Sequence, residues 1–334
     1  MEAVAGKGVS VILCCHNSAH RLAKTLDALA KQEVEPHIAW ELIIVDNAST
    51  DNTATEARRL WEMTGNPQKI EIVQEKKPGL MYARTKGIRE SNYDYLLFCD
   101  DDTWFCPVYI SVIFQALESD QHIAACGGEG IPVFESKKPA WFDDYQEAFA
   151  IGHQDHEPEG TGIFQLYGAG MGMRKTIYQK LMDSGHETYF RGRTGKKLSS
   201  SEDTELTNAF VLMGYRLIYL PSIHFYHYMP SGRLTREYLK NLFHAFGTDG
   251  PVRNLYYSHL SKRPFHRRLS NWNFHLTLSL YRTVKYLAKP PKKNGRSIYF
   301  HWNKAYITEL FRIRKKYAVL NNNIERLKSL RSNS

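Results

Sequence analysis

The chain has 334 residues, 43% of them hydrophobic and 13% aromatic, with a formal net charge of +9. That composition excludes a disordered protein and allows one large buried core with an additional element or two. The charge belongs to one end: residues 251–334 hold 19 Lys+Arg and 2 Asp+Glu, a balance of +17, while residues 1–250 hold 25 and 33, a balance of −8. A uniformly basic, nucleic-acid-binding protein is therefore not expected, and an anionic partner is expected for the tail alone.

Residues 9–15 (VSVILCC) read as a strand, and Leu22, Leu26 and Leu29 then recur at helical spacing. The pattern repeats with a strand at 40–45 (WELIIV), a cap-rich loop at 46–51 and a helix through Ala54, Ala57, Leu60 and Trp61. A third strand at 70–74, a helix around 82–88 and a fourth apolar strand at 95–99 (YLLFC) follow. Alternation of this kind predicts an α/β fold with a Rossmann-like, mostly parallel central sheet and flanking helices, whose ligands gather at the carboxyl ends of the strands. Residues 127–193, rich in Gly, Pro and aromatics, read as irregular, before a helix near 202–213 and a strand at 216–220. Beyond residue 250 the chain becomes a basic amphipathic helical region, with 289–293 (KPPKK) as a linker.

The five cysteines are odd in number, lack Cys-x-x-Cys spacing and sit mostly in or beside apolar runs, which suits buried thiols in a reducing compartment. The start of the chain does not read as a signal peptide, and no run approaches the ~18–20 apolar residues of a spanning helix. The expected location is cytoplasmic, with the inner face of the membrane as a candidate contact.

Three carboxylates, Asp100, Asp101 and Asp102, directly follow the strand 95–99, so their mutual repulsion calls for a cation. Hard oxygen donors favour Mg²⁺ or Mn²⁺, which share their coordination with substrate phosphates. A solvated acidic turn is the bland alternative.

Taken together, the stretches VSVILCCHN, IIVDNASTDNT, GLMYARTKGI, LLFCDDDTWFCP, YGAGMGMRK, LSSSEDTEL and HFYHYMPSGRLT resemble, in order and spacing, family 2 glycosyltransferases over roughly residues 8–240. The resemblance is nearest to glycosyltransferases of bacterial surface polysaccharides. It implies a GT-A catalytic domain over 1–250, with a nucleotide-sugar half at about 8–105 and an acceptor half at about 106–250, followed by the tail at 251–334. It also implies an inverting, metal-dependent transfer from a nucleoside diphosphate sugar to a saccharide or lipid-linked acceptor.

Residue by residue, the resemblance makes Asp102 the first metal ligand, with Asp100 facing the ribose side and His227 a further ligand. Asp203 becomes the general base on the acceptor hydroxyl, with Glu202 orienting the site. Asp46 and Asn47 match the pair that contacts base and ribose, and Arg84 an arginine near the base. Asp101 belongs to the same nucleotide-sugar site, and Arg233 and Thr235 supply charge and a hydroxyl to the diphosphate. Three positions depart from the pattern: Asn47 stands where Asp is frequent, Tyr167 where Trp is expected, and Ser201 where Gly is expected. The competing reading of Glu202 and Asp203 is helix-dipole stabilisation, with Ser199, Ser200 or Ser201 as the cap. His227 has its own alternative as a packed core histidine.

In the tail, Trp272, Leu276, Leu280, Val284 and Leu287 fall near one helical face, with Arg282, Lys285 and Lys289 opposite. Trp302, Tyr306, Ile313, Tyr317 and Leu320 do the same beside Lys304, Arg312, Lys315 and Lys316. Such helices suit an anionic membrane surface, reached through residues 270–320, and the alternative is that the apolar faces pack on the catalytic domain. Nucleic acid is not expected. The other functional classes are a sugar nucleotidylyltransferase, which usually carries a Gly-rich basic loop where this chain reads CCHNSAH, and a non-catalytic nucleic-acid or lipid-binding protein.

Overall fold

The computed structural model describes residues 6–154, 165–190, 192, 201–288 and 295–331. The 289–293 linker and the cap candidates Ser199 and Ser200 lie outside these residues.

The four expected strands form one half of an eight-stranded sheet of order β3-β2-β1-β4-β7-β6-β8-β5. β1 (Gly6–Cys15), β2 (Ala39–Asn47), β3 (Ile70–Glu75) and β4 (Tyr93–Asp100) run parallel. Both faces of this half are covered, so β1 is buried from Gly8 to its end and reads as a continuous apolar run. On one face α1 (Leu22–Ala30) seats Leu22, Leu26 and Leu29 at the spacing of one helical stripe. α2 (Thr53–Met63) and α3 (Leu80–Glu90) complete the two helical layers.

The other half is built from β5 (Thr103–Phe105), β6 (Ile123–Phe134), β7 (Gly172–Arg174) and β8 (Arg216–Met229), with α4 (Tyr109–Ser119), α5 (Lys175–Asp183) and α6 (Glu202–Leu212) around them. Here the stretch read as irregular from 127 is ordered: β6 runs to Phe134, paired in parallel with β8. Its glycines are present because other backbone comes close. A Cβ on Gly128 would lie 2.5 Å from the Ile223 carbonyl oxygen, and one on Gly130 would lie 2.0 Å from that of Ala150.

The tail continues the fold. α7 (Arg236–Leu260) passes through residue 250 without interruption and is followed by α8 (Pro264–Arg267), α9 (Trp272–Ala288), α10 (Gly295–Ile313) and α11 (Tyr317–Arg326). α7 and α10 cross so closely that a Cβ on Gly247 would lie 2.3 Å from the Trp302 carbonyl oxygen, and one on Gly250 would lie 2.5 Å from the Tyr306 ring. Tyr306, Leu310, Ile313, Tyr317 and Ile324 share a core with Leu206 and Phe210 of α6. The face expected over Trp302, Tyr306, Ile313, Tyr317 and Leu320 is thus spent on docking, while Phe300, Phe311 and Val319 stay exposed. The face expected for α9 divides: Trp272 and Leu276 pack on that core, whereas Leu280 and Val284 point outward. No described helix is long and apolar enough to cross a membrane.

Candidate active site

The parallel register brings the acidic loops together. Cys14 lies opposite Asp100 on β4, and Cys15 lies opposite Asp46 on β2, so three strand ends converge at one edge. A cleft of about 690 Å³ opens there, within the usual range for a small-molecule site. The Cys14 thiol is pushed up to about 12 by burial, so it is packing rather than chemistry. All five cysteines are free and buried.

The acidic triplet is offset by arginines. Asp101 accepts hydrogen bonds from Ser18 and, at 2.7 Å, from Arg21, while its carbonyl accepts from Thr25 at 3.0 Å. Burial holds the carboxyls of Asp100 and Asp101 above the usual carboxylate range, opposed by Arg84 and Arg21 respectively. Asp102 pairs with Arg233 at 2.9 Å. Arg21 escaped the sequence reading; the signal was the need for counter-charge around three adjacent carboxylates, and an Arg at the start of α1 could supply it.

Thr103 of β5 pairs with His227 of β8, which sets the histidine beside Asp102. Its Nδ1 donates to the Phe149 carbonyl oxygen at 2.9 Å, which leaves Nε2 as the ring nitrogen turned to Asp102 and Arg233. Nε2 stands 3.5 Å from Asp102 Oδ1 and 3.3 Å from an Arg233 nitrogen. The guanidinium therefore lies where the two donors converge. Among the described residues no three His, Cys, Asp or Glu side chains form a metal cage. The pair Asp102–His227 nevertheless has the chemistry of a partial cation site: one carboxylate and one imidazole whose other nitrogen is tied to a carbonyl, as for metal-bound histidines, with phosphate oxygens left to complete the shell.

Across the cleft, Glu202 and Asp203 open α6, and Asp203 accepts a hydrogen bond from Arg84, a buried guanidinium held over the Phe98 ring at 4.7 Å from its centroid. Ser201 at the N-cap makes no capping hydrogen bond, and its Oγ has no partner among the described residues. Gly168 sits directly against Asp203: a Cβ there would fall 2.0 Å from Asp203 Oδ2. Gly168→Ala is accordingly expected to displace the carboxylate and, with Asp203 as the base the sequence resemblance implies, to lower turnover by roughly tenfold to a hundredfold, since an error of about 1 Å at a reacting group has that effect. Steady-state kinetics beside a circular dichroism melt would check it, and unchanged turnover would mean that Asp203 can move without consequence.

The remaining candidates divide. Asn47 lines the cleft, but its amide is engaged by the chain: Nδ2 donates to the carbonyls of Glu75 at 3.1 Å and Lys77 at 2.7 Å, and Oδ1 accepts from Gly79 N at 2.7 Å. It fixes the loop into α3, the helix that carries Arg84. Asp46 is buried, its Oδ1 lacks a hydrogen-bond partner among the described residues, and it is not among the residues lining the cleft. Thr235 also lies outside the lining; it caps α7, its Oγ1 accepting from Tyr238 N at 3.1 Å. The sequence reading also missed the wall at 143–150, a 3₁₀ helix from Phe142 to Phe149, and Tyr238, Phe243 and Arg253 of α7.

Comparison with known proteins places this geometry in context. A family model described as Glycosyl transferase family 2 matches residues 10–182. The chain is 22% identical over 245 residues to glycosyltransferase GlyA of Streptococcus pneumoniae, covering 71% of this chain and 33% of that protein. It is 23% identical over 217 residues to the glucosyl-dolichyl phosphate glucuronosyltransferase of Haloferax volcanii, covering 63% and 66%. The chain thus spans a third of the first relative and just under two thirds of the second. Among solved structures, a mannosyltransferase from Pyrobaculum calidifontis in complex with GDP-Man and Mn²⁺ superposes with a TM-score of 0.52 at 16% identity, over 95% of this chain and 86% of that one. Residues 1–349 of S. aureus TarS in complex with UDP-GlcNAc give 0.52 at 16% identity, over 96% and 90%. These two likenesses establish a shared fold.

Proposed function

This chain belongs to glycosyl transferase family 2 and has the GT-A fold, and from that premise we propose that it is an inverting glycosyltransferase acting on a nucleoside diphosphate sugar. The observation that carries this reading is the cleft itself, where Asp203 with its Arg84 stands across from the Asp102, His227 and Arg233 cluster. Asp203 takes the acceptor hydroxyl proton as that oxygen bonds to the anomeric carbon from the face opposite the diphosphate. The bond from the anomeric carbon to the phosphate oxygen breaks, and its electron pair leaves with the nucleoside diphosphate. Arg84 keeps Asp203 in place, Arg233 faces the developing phosphate charge, and Glu202 orients the acceptor.

Asp102 and His227 would hold a Mg²⁺ or Mn²⁺ ion, which when bound supplies positive charge to the leaving diphosphate. The Pyrobaculum complex with GDP-Man and Mn²⁺ supports both the donor class and the ion. Asn47, Asp100 and Asp101 belong to the nucleotide side, Asn47 through the loop it fixes, with Asp46 buried behind them. The acceptor is a saccharide or lipid-linked hydroxyl in the assembly of a bacterial surface polysaccharide or glycolipid, and the basic tail adds contact with an anionic membrane surface. The catalytic domain takes in residues 1–250, with 251–334 as its appended helical region.

The test is a thermal-shift screen of UDP, GDP, CDP and dTDP with and without Mn²⁺. A nucleotide at about one hundred times its dissociation constant stabilises the native state by about 2.7 kcal/mol. One nucleotide should raise the melting midpoint in a Mn²⁺-dependent way; no shift with any of the four, with or without the ion, would overturn the reading.

A further inference from the structure

We infer that an outward surface on the C-terminal half of α9 and the first turns of α10 seats this protein on an anionic lipid bilayer beside the wall of its cleft. The inward side of α9 is polar at its centre. His275 and Ser279 are buried, and His275 meets Tyr317 Oη at 2.6 Å through Nδ1 and Tyr306 Oη through Nε2. Apolar residues of its C-terminal half face away: Leu280, Tyr281 and Val284 are 46%, 63% and 64% exposed. A half-helix that turns polar groups to the protein and apolar groups outward reverses the ordinary arrangement, and an exposed apolar patch of this kind marks a contact surface.

Tyr286 stacks on Tyr299 with ring centroids 5.0 Å apart, which joins this half of α9 to α10, where Phe300 is 56% exposed. Lys285 is exposed on the same half-helix, in a region of the chain with 19 Lys+Arg and 2 Asp+Glu. Exposed aromatic and aliphatic side chains in so cationic a region match an interface of acyl chains beneath anionic headgroups. A protein partner would be selected by shape and paired charges, whereas this region of the chain holds 19 Lys+Arg against 2 Asp+Glu. The surface also has a place relative to the chemistry. Ile298 of α10 packs with Phe142 and Phe149, the ends of the 3₁₀ helix that walls the cleft. An acceptor hydroxyl carried on a lipid would therefore be delivered at that wall; this last step rests on the glycosyl-transfer reading, whereas the lipid contact does not.

The experiment is cosedimentation of the full chain with vesicles of phosphatidylcholine, alone or mixed with phosphatidylglycerol, beside nucleotide binding on the same preparations. The expected result is binding to the mixed vesicles only, weakening as salt rises, and a roughly tenfold or greater loss in the double variant Leu280→Asp, Val284→Asp, with its melting midpoint and nucleotide affinity unchanged. Wild-type protein that does not sediment with phosphatidylglycerol, or a variant that sediments equally well, overturns the proposal. A lipid-free dimer in size-exclusion chromatography that the same substitutions dissolve also overturns it, in favour of a second copy of the chain. Nucleotide binding without lipid binding removes the surface and leaves the transferase reading; lipid binding without nucleotide binding does the reverse.

Discussion

Asp203→Asn is expected to lower transfer to the true acceptor by roughly two to four orders of magnitude, the usual contribution of a positioned base, while donor affinity stays within a few-fold. Asn keeps the size and an accepting oxygen but cannot take the proton, so turnover and the specificity constant should fall together. The structure adds a second expectation. Arg84 donates to Asp203 with its own side chain only 4% exposed, so neutralising the carboxylate leaves a buried guanidinium with Asp100 and Glu202 as its remaining charged neighbours. Breaking one side of a buried pair costs about 3–5 kcal/mol; the partial exposure of Asp203 and those two neighbours place this case toward or below the lower end. The melting midpoint should therefore drop with turnover. Arg84→Met combined with Asp203→Asn should recover much of the midpoint and none of the turnover. Near wild-type transfer by Asp203→Asn would move the base elsewhere, with Glu202 next in line.

Asp102→Asn should weaken Mn²⁺-dependent donor binding by roughly two orders of magnitude or more, since loss of even an outer partner of a metal site costs about tenfold to a hundredfold. Considered alone, three adjacent carboxylates suggest that removing one relieves repulsion. The tertiary structure alters that balance, because Asp101 is already paired with Arg21 and Asp102 with Arg233. Asn at 102 can still accept from Arg233, so the variant should fold, whereas Asp102→Ala should melt earlier because Arg233 then loses its partner. Calorimetric titration of nucleotide with and without Mn²⁺ checks the first expectation and a urea melt the second. Metal-dependent affinity equal to wild type in Asp102→Asn would take this residue out of the site.

Much of the fold was legible because a parallel sheet covered on both faces writes its strands as unbroken apolar runs, as in VSVILCC and YLLFC. The second half was less legible for an opposite reason. β6 carries Gly127, Gly128, Gly130 and Pro132, residues that ordinarily mark loops, yet here Gly128 and Gly130 admit the backbones of Ile223 and Ala150. Local propensity pointed to irregular chain, and close packing overrode it.

The sequence by itself determined the strand–loop–helix alternation, the acidic triplet at a strand end, the Glu202–Asp203 pair at a helix start and the separation of an acidic body from a basic tail. All of these depend on neighbours within a few residues, where periodicity and charge speak directly. Only the tertiary structure decided that Arg84 reaches Asp203 across 119 positions, that the β5–β8 register brings His227 to Asp102, and that Asn47 spends its amide on a loop. It also decided which side of α9 faces inward: helical periodicity sorts residues into stripes, but the stripe that is covered is chosen by elements distant in sequence. There the hydroxyls of Tyr306 and Tyr317 require the polar stripe with His275, and Leu280 and Val284 are left facing outward.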